Sequence, residues 1–411
     1  MSLTTELVLL ILSLILILGT VAEYIFLKTG LPDVLILILA GIAMGVHGLK
    51  LFTSEQILQS FFTQLFTTFA LLIVIFEGGL NLNLKSFFRD FKKSAGIATL
   101  IYIVSSLVVF AGLKISKIFD MNTFALLSFS FLITGTASIV TYPLLSKLKI
   151  KESLKNFFKI EATLTDALSI LFVITFLLYM QQQKEISTET FNLIIKNMLS
   201  SASIAIVFGT VAAFVWLSVL SKIENTEVFS NYKYLLTLAY IFILYWFMQY
   251  YGGSAPIAIF IFGLILGNIS AISKSFKMDY SKKLVGKTIF SSTEQLSFVL
   301  KVLFFVMVGL LWKFDLTTTI ISLSILISIA AVRYIMFSLF KFEEKWFPAV
   351  FMPKGIGVVI LSLMMLKYGA PESILNVAIS LVFYSILLSS LFAMIKERWG
   401  NEDIQHIKPE N

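Results

Sequence analysis

The stretch FFKIEATLTD (residues 157–166) opens an apolar run that continues to Met180 and contains two carboxylates, Glu161 and Asp166. An apolar run of this length crosses a lipid bilayer as a helix, and Asp166 lies roughly nine residues into it. A carboxylate at that depth is energetically costly and is therefore commonly functional. Asp166 is thus the first candidate for a functional residue in this chain.

The rest of the chain has the composition of a membrane protein. Of its 411 residues, 58% are hydrophobic and only 14% are charged, and the mean hydropathy is +0.92. Water-soluble globular domains do not reach these values. Apolar runs of about 17 to 25 residues recur along the chain, whereas the strands of a membrane barrel are about 10 residues of alternating polarity. The sequence therefore predicts an all-α polytopic membrane protein.

Thirteen membrane spans are predicted where an apolar run is bounded by polar residues, Gly or Pro. They cover residues 5–27, 32–48, 59–80, 95–113, 123–145, 157–180, 198–220, 234–251, 256–270, 294–312, 317–340, 348–367 and 373–395. The first run contains Glu6 and lacks a basic n-region, so it is predicted to be a retained span and not a cleaved signal peptide. We expect one transmembrane domain over residues 1–396 and a short cytoplasmic tail over 397–411.

The distribution of basic residues predicts the orientation in the membrane. Lys and Arg are concentrated in one set of alternate loops, such as 147–155 and 274–287, and are sparse in the other set. Because cytoplasmic loops carry an excess of Lys and Arg, the N-terminus is expected outside and the C-terminus in the cytoplasm of a cell-membrane protein. The same loops account for the net charge of +8, so no nucleic-acid partner is expected.

Composition also excludes several kinds of chemistry. The chain has no Cys and only two His residues. This removes disulfides, thiolate metal sites and cysteine nucleophiles, and it argues against a histidine metal cluster. The sequence has no catalytic His or Cys constellation and no phosphate-binding loop. We therefore expect a protein that is not an enzyme and that carries no cofactor.

The two carboxylates of the sixth span are predicted to face different neighbours. Glu161 and Thr165 are four residues apart and share a helix face, whereas Asp166 points roughly 140° away from Glu161. Arg333 on the eleventh span lies at a depth similar to that of Glu161, and opposite charges tend to pair in a low-dielectric bundle. We predict a structural Glu161–Arg333 ion pair. In the alternative, Arg333 extends to the lipid headgroups and Glu161 is solvated at the helix end.

Asp166 has no permanent partner on this argument. Lys301 on the tenth span lies at about the same depth, and it either pairs with Asp166 in one protonation state or lines a water-filled funnel. A proton and a cation would compete for an unpaired carboxylate at this depth. That competition is a mechanism for exchange.

Two other spans are interrupted near their centres by small or helix-breaking residues. These are Thr134, Gly135 and Thr136 in the fifth span, and Pro353, Lys354, Gly355 and Gly357 in the twelfth. Matching breaks in the two halves of a transporter indicate discontinuous helices, whose free carbonyls and half-helix termini line an ion site. Lys354 would offset the negative C-terminal end of a half-helix. The alternative is close packing of ordinary helices through glycine.

Several motifs, taken in their order along the chain, resemble those of the monovalent cation:proton antiporters, in particular the NhaP-type branch of the cation:proton antiporter-1 family. They are LPDVLILILAGIAMG (31–45), IFEGGLNLNL (75–84), GTASIVTYPLL (135–145), EATLTDA (161–167), GGSAPIAIFIFGLILGN (252–268), LFFVMVGL (303–310), AVRY (331–334) and PKGIGVVIL (353–361). The resemblance extends over essentially the whole chain.

This resemblance implies a thirteen-helix inverted-repeat fold, a homodimer, and sodium/proton exchange by alternating access where two discontinuous helices cross. Asp166 matches the family's cation-carrying aspartate, Glu161 its ion-paired glutamate, and Arg333 the arginine partner. The expected ion- and proton-binding residues are Asp166, Thr165, Thr134 and Thr136; those expected at the breaks or as charge compensation are Gly135, Lys354, Gly355 and Lys301.

Two departures from the family pattern leave the transported cation open. Thr165 replaces the family's Asn before the aspartate, and Gly135 replaces an Asp in the fifth-helix break. Sodium is the expected cation, and lithium and potassium are alternatives. A potassium-efflux antiporter is the nearest alternative function, because its fifth-helix motif is also rich in Ser, Thr and Ala. A non-transporting membrane sensor on the same scaffold is a remote one.

Overall fold

The protein is represented by a computed structural model that describes residues 5–29, 31–45, 61–82, 84–181, 188–223, 232–276 and 286–405. Within these ranges the ordered elements are helices and no strand is present. The helices, in chain order, are α1 (Thr5–Thr29), α2 (Asp33–Met44), α3 (Phe61–Asn81), α4 (Leu84–Ser116), α5 (Thr123–Thr134), α6 (Ser138–Lys147), α7 (Glu152–Gln181), α8 (Thr188–Ile223), α9 (Lys233–Tyr250), α10 (Ala255–Gly267), α11 (Ile269–Phe276), α12 (Gly286–Leu311), α13 (Leu316–Leu339), α14 (Trp346–Val350), α15 (Ile356–Lys367) and α16 (Ser373–Gln405).

Within the described residues, each predicted span coincides with one of these helices or with a pair of short ones. Residues 46–48 of the second predicted span, 59–60 of the third and 406–411 of the expected tail lie outside the described residues. In the described ranges, eight segments are long and apolar enough to cross a membrane, and they lie in α1, α4, α5 with α6, α7, α8, α12, α13 and α16. Four shorter apolar helices lie in α2, α3, α10 and α15. The fold is that of an all-α polytopic membrane protein, as predicted, while the total of thirteen crossings stays a prediction.

Several helices are longer than the predicted spans. Helix α4 begins before residue 95, α8 begins before residue 198, and α16 continues through residues 397–405, which were expected to form the tail. An apolar run marks only the part of a helix that lies in hydrocarbon. The backbone hydrogen bonds of a helix continue through polar residues beyond that layer, so span prediction underestimates helix length.

The division predicted between the eighth and ninth spans is present. Helix α9 ends at Tyr250 and α10 begins at Ala255. Gly252, between them, has a φ of 69°, in the left-handed region that glycine adopts without strain.

Two spans are discontinuous, and their breaks lie against each other. Helices α5 and α6 are separated at residues 135–137, and α14 and α15 at residues 351–355. The amide of Ala137 donates a hydrogen bond to the carbonyl of Pro353 at 2.9 Å. A Cβ atom on Gly355 would lie 2.5 Å from the Cβ of Ala137, so only glycine permits this approach. The prediction of two crossed discontinuous helices is therefore confirmed.

Two tightly packed helix pairs lie beside this crossing. In the pair α2 and α12, a Cβ atom on Gly309 would lie 2.1 Å from the carbonyl oxygen of Ile38. In the pair α3 and α10, a Cβ atom on Gly263 would lie 2.6 Å from the carbonyl oxygen of Phe76. Such backbone-to-backbone contact through small residues is typical of helix packing in membranes.

Candidate functional site

Asp166 lies on α7 beside the break between α5 and α6 and is half-buried. Its Oδ2 atom accepts hydrogen bonds from the backbone amide of Ser138 at 2.9 Å and from the Ser138 hydroxyl at 2.6 Å. Ser138 is the first residue of α6. The carboxylate therefore faces the positive end of a half-helix, where free amide groups stabilise negative charge. In the described part of the chain, no hydrogen bond reaches its other oxygen, Oδ1, which is left for a further ligand.

The threonine hydroxyls expected around Asp166 have other partners. Thr165 Oγ1 accepts a hydrogen bond from the amide of Thr136 at 3.1 Å and lies 3.2 Å from the Thr136 hydroxyl. The Thr134 hydroxyl donates to the carbonyl of Ser130, one turn earlier in α5, at 2.7 Å. The hydrogen bonds between Thr165 and Thr136 thus join α7 to the break between α5 and α6. The hydroxyl group that donates to the Asp166 carboxylate belongs to Ser138.

Sequence reasoning did not single out Ser138, although it lies within the motif GTASIVTYPLL. The available signal was its position directly after the helix break. A half-helix that starts there exposes its first amide groups, and a serine at that position adds a hydroxyl donor to them.

Lys354 lies at the crossing of the two breaks and is fully buried. Its Nζ atom donates hydrogen bonds to the carbonyls of Thr134 at 2.7 Å and Gly135 at 2.9 Å. These carbonyls end α5, so the ammonium offsets the negative terminus of that half-helix. Lys354 thus has the position expected from the sequence, beside the C-terminal end of a half-helix.

Gly135 is the first residue of the break between α5 and α6. A Cβ atom on Gly135 would lie 2.5 Å from the hydroxyl oxygen of Ser169 on α7. That hydroxyl lies 3.0 Å from the Tyr102 hydroxyl, and the Tyr102 hydroxyl donates to the carbonyl of Phe131 at 2.8 Å. A larger side chain at position 135 would have to displace this network.

Glu161 and Arg333 are both buried and form a two-pronged ion pair. Nη1 of Arg333 contacts Oε1 of Glu161, and Nη2 donates to Oε2 at 3.1 Å. Arg333 also donates from Nε and Nη2 to the carbonyl of Pro348, at 3.1 and 2.8 Å, and from Nη2 to the carbonyl of Phe351 at 3.3 Å. The pair therefore connects α7 and α13 to the break of the twelfth span, and both side chains are buried inside the protein.

Lys301 does not pair with Asp166. Its Nζ atom lies 2.6 Å from Oδ2 of Asp33 on α2 and 3.5 Å from Oε2 of Glu23 on α1. The close packing of α2 on α12 brings the lysine to these acids. Of the two arrangements left open by the sequence, the structure has the one in which Lys301 lines a funnel, and the charge it compensates belongs to Asp33 and Glu23 and not to a helix break.

Two cavities share a wall at Ser138. The inner cavity contains Asp166 and is otherwise lined mainly by apolar side chains of α3, α7, α10 and α15. The outer cavity, called the funnel below, is lined by Glu23, Val74, Glu77, Gly78, Asn81, Ser138, Ile139, Tyr142, Pro143, Glu294, Ser297, Phe298 and Lys301. Both include Val74, Gly78, Ser138 and Ile139 in their walls. The funnel, which is lined by several glutamates, therefore extends to Ser138, the residue that donates hydrogen bonds to the Asp166 carboxylate.

Comparison with known proteins gives two findings. A family model described as sodium/hydrogen exchanger, transmembrane, matches residues 11–396 of the chain. The chain is also similar to a structure of the sodium proton antiporter MjNhaP1 from Methanocaldococcus jannaschii at pH 8, with a TM-score of 0.73 and 19% identity over 95% of this chain and 96% of that one. For an electron-microscopy map of MjNhaP1, the TM-score is 0.72 and the identity 18%, over 99% of this chain and 100% of that one. At this identity the likeness establishes the fold.

Proposed function

The chain belongs to the family of transmembrane sodium/hydrogen exchangers, and from this premise we propose that it exchanges Na⁺ for H⁺ with Asp166 as the shared binding group. Family membership makes it a multi-pass membrane antiporter of a cation and protons. The observation that supports Asp166 is its position: its carboxylate lies at the break between α5 and α6 and accepts both hydrogen bonds of Ser138.

Cation and proton exclude each other at Asp166. The ionised carboxylate keeps the two Ser138 bonds on Oδ2 and presents Oδ1 and its charge to a cation, for which hard oxygen ligands are suitable. The protonated carboxyl has no charge to offer. Because Gly135 stands where a second acid would lie, one carboxylate at the break serves both ligands, and each bound proton must leave before a cation binds.

The crossing of the breaks supports alternating access around this site. The two half-helix ends near Asp166 carry opposite partial charges, and Lys354 compensates the negative one through the carbonyls of Thr134 and Gly135. The positive end, at Ser138, is left to act on the carboxylate. We propose that the funnel, whose lining includes Ser138, leads from one side of the membrane towards Asp166, and that movement of the surrounding helices connects Asp166 with the other side.

Sodium is the proposed cation because the family is that of the sodium/hydrogen exchangers and the similar solved structures are of a sodium proton antiporter. Potassium is the alternative, since Gly135 leaves the break without a second carboxylate. We further propose that the protein acts as a homodimer in the cell membrane, with its C-terminus in the cytoplasm.

Proteoliposomes with a trapped pH-sensitive dye test the proposal. Pulses of Na⁺ should change the dye signal of the wild-type protein, and Asp166→Asn should abolish the response. Asp315→Asn is the matched control, because it makes the same chemical change at an exposed helix N-cap, where Asn is as good as Asp. A response to K⁺ but not to Na⁺ would contradict the sodium proposal. A normal response in Asp166→Asn would contradict the carrier role and favour a different site or a sensor.

A further inference from the structure

A second ion-pair centre, formed by Lys301, Asp33 and Glu23, lies on the funnel wall. The ammonium lies 2.6 Å from Asp33 and 3.5 Å from Glu23. The side chains of Asp33 and Lys301 are only 6% and 12% exposed, whereas that of Glu23 is 38% exposed. Two carboxylates thus share one cation, and the more accessible carboxylate faces the funnel.

The Lys301 ammonium is held firmly in this place. Its helix, α12, contacts the backbone of α2 through Gly309 and Gly41. The ammonium also lies 5.3 Å from the centroid of the Phe298 ring, in cation–π contact. The Oδ2 atom of Asp33 has no well-aligned hydrogen-bond donor among the described residues, so the charge of Lys301 is what compensates this buried carboxylate.

The centre lies on the approach to Asp166. The funnel lining includes Glu23, Lys301 and Ser138, and Ser138 donates a hydrogen bond to Asp166. Glu77 and Glu294 line the same funnel. A cation that enters it meets several carboxylates before it reaches Asp166, and a strongly acidic passage would retain the cation there.

We propose that the Lys301 ammonium is a tethered competitor of the transported cation. It occupies the space between Asp33 and Glu23 that a free monovalent cation would otherwise take, and it thereby sets the apparent affinity with which cations pass to Asp166. This inference rests on the proposed function, because it takes the funnel as the route to Asp166. Without the ammonium, the oxygens of Asp33 and Glu23 form a cation site of their own.

Lys301→Met tests the inference, because it keeps most of the unbranched side chain and removes the charge. In the proteoliposome assay, its apparent KM for Na⁺ should be about tenfold lower and its maximal rate reduced, since the cation is held in the funnel. Lys301→Arg keeps the charge and should behave like wild type. Lys301→Met/Asp33→Asn removes both charges of the Lys301–Asp33 pair and should return the KM for Na⁺ towards the wild-type value. If Lys301→Met acted only by removing a structural contact, the added Asp33→Asn change would not restore the KM.

A binding measurement separates this inference from the carrier role of Asp166. Na⁺ should raise the unfolding temperature of the double variant Lys301→Met/Asp166→Asn and should not raise that of Asp166→Asn alone. Choline at the same concentration is the ionic-strength control. Lys301→Gln replaces Lys301→Met if the latter does not fold. An unchanged KM for Na⁺ in Lys301→Met would overturn the inference. So would the absence of stabilisation by Na⁺ in Lys301→Met/Asp166→Asn. Normal transport by Asp166→Asn alone would instead overturn the proposed function.

Discussion

Breaking the Glu161–Arg333 ion pair from its two ends should destabilise the protein by unequal amounts. Glu161→Gln leaves the buried guanidinium with its three hydrogen bonds to the carbonyls of Pro348 and Phe351. Arg333→Met leaves the buried Glu161 carboxylate without a cation in contact, and it also removes the donors to both carbonyls. Loss of the Arg333 side chain should therefore lower the free energy of unfolding more than loss of the Glu161 charge.

The magnitudes follow from these contacts. Removing one partner of a buried ion pair costs about 3 to 5 kcal/mol of unfolding free energy. We expect about 3 kcal/mol for Glu161→Gln, because the carbonyls still stabilise the cation. Arg333→Met should cost about 5 kcal/mol or more, since each unsatisfied buried carbonyl adds about 1 to 3 kcal/mol. The double variant leaves no unpaired charge, so its cost should be at least about 2 kcal/mol below the sum of the single costs.

Unfolding of the purified protein in detergent, followed by temperature and by denaturant, measures this order, with gel filtration to confirm that each variant is folded. The reasoning would be refuted if the two single variants lost equal stability or if Glu161→Gln lost more than Arg333→Met. It would also be refuted if the loss of stability in the double variant equalled the sum of the two single losses. The folded Glu161→Gln protein should still respond to Na⁺ in proteoliposomes, because Glu161 acts through the structure and does not contact the Asp166 site.

Two further predictions concern Ser138 and Gly309. Ser138→Ala removes the 2.6 Å hydrogen bond to Asp166 but keeps the amide bond at 2.9 Å, so the ionised, cation-binding form is weakened and the KM for Na⁺ at constant pH should rise about tenfold. A sodium titration with the trapped dye measures this, and an unchanged KM would count against a role for the hydroxyl. Gly309→Ala places a Cβ atom 2.1 Å from the Ile38 carbonyl oxygen and should lower stability by about 2 kcal/mol through overpacking. Gly112→Ala, which meets no atom within 4 Å, is the matched control and should cause no loss of unfolding temperature.

Much of the fold was predictable because the bilayer acts on each segment separately. The runs of apolar residues marked the helices, and the glycine- and proline-containing stretches at 134–136 and 353–357 marked the two breaks. The joint occurrence of Glu161 and Arg333 at similar depth also pointed to the pairing that the structure contains, since buried opposite charges have few other places to go.

The contacts of the candidate site were less predictable. The hydroxyl that donates to Asp166 belongs to Ser138, which was not among the expected ion-binding residues Thr134, Thr136 and Thr165. Lys301 pairs with Asp33 and Glu23, whereas the sequence had left open whether it pairs with Asp166. Depth along a helix can be counted from the sequence, but rotation about the helix axis and the identity of the lateral neighbour cannot. Both depend on which helices pack together.

The stretch FFKIEATLTD shows where this boundary lies. Its sequence determines that Glu161 and Asp166 enter the membrane on one helix and point in different directions, because helical geometry and the apolar run are local properties. The tertiary structure determines that one meets the guanidinium of Arg333 and the other meets the first turn of α6. Those partners come from distant segments, and only the packing of the helices against one another brings them within hydrogen-bonding reach.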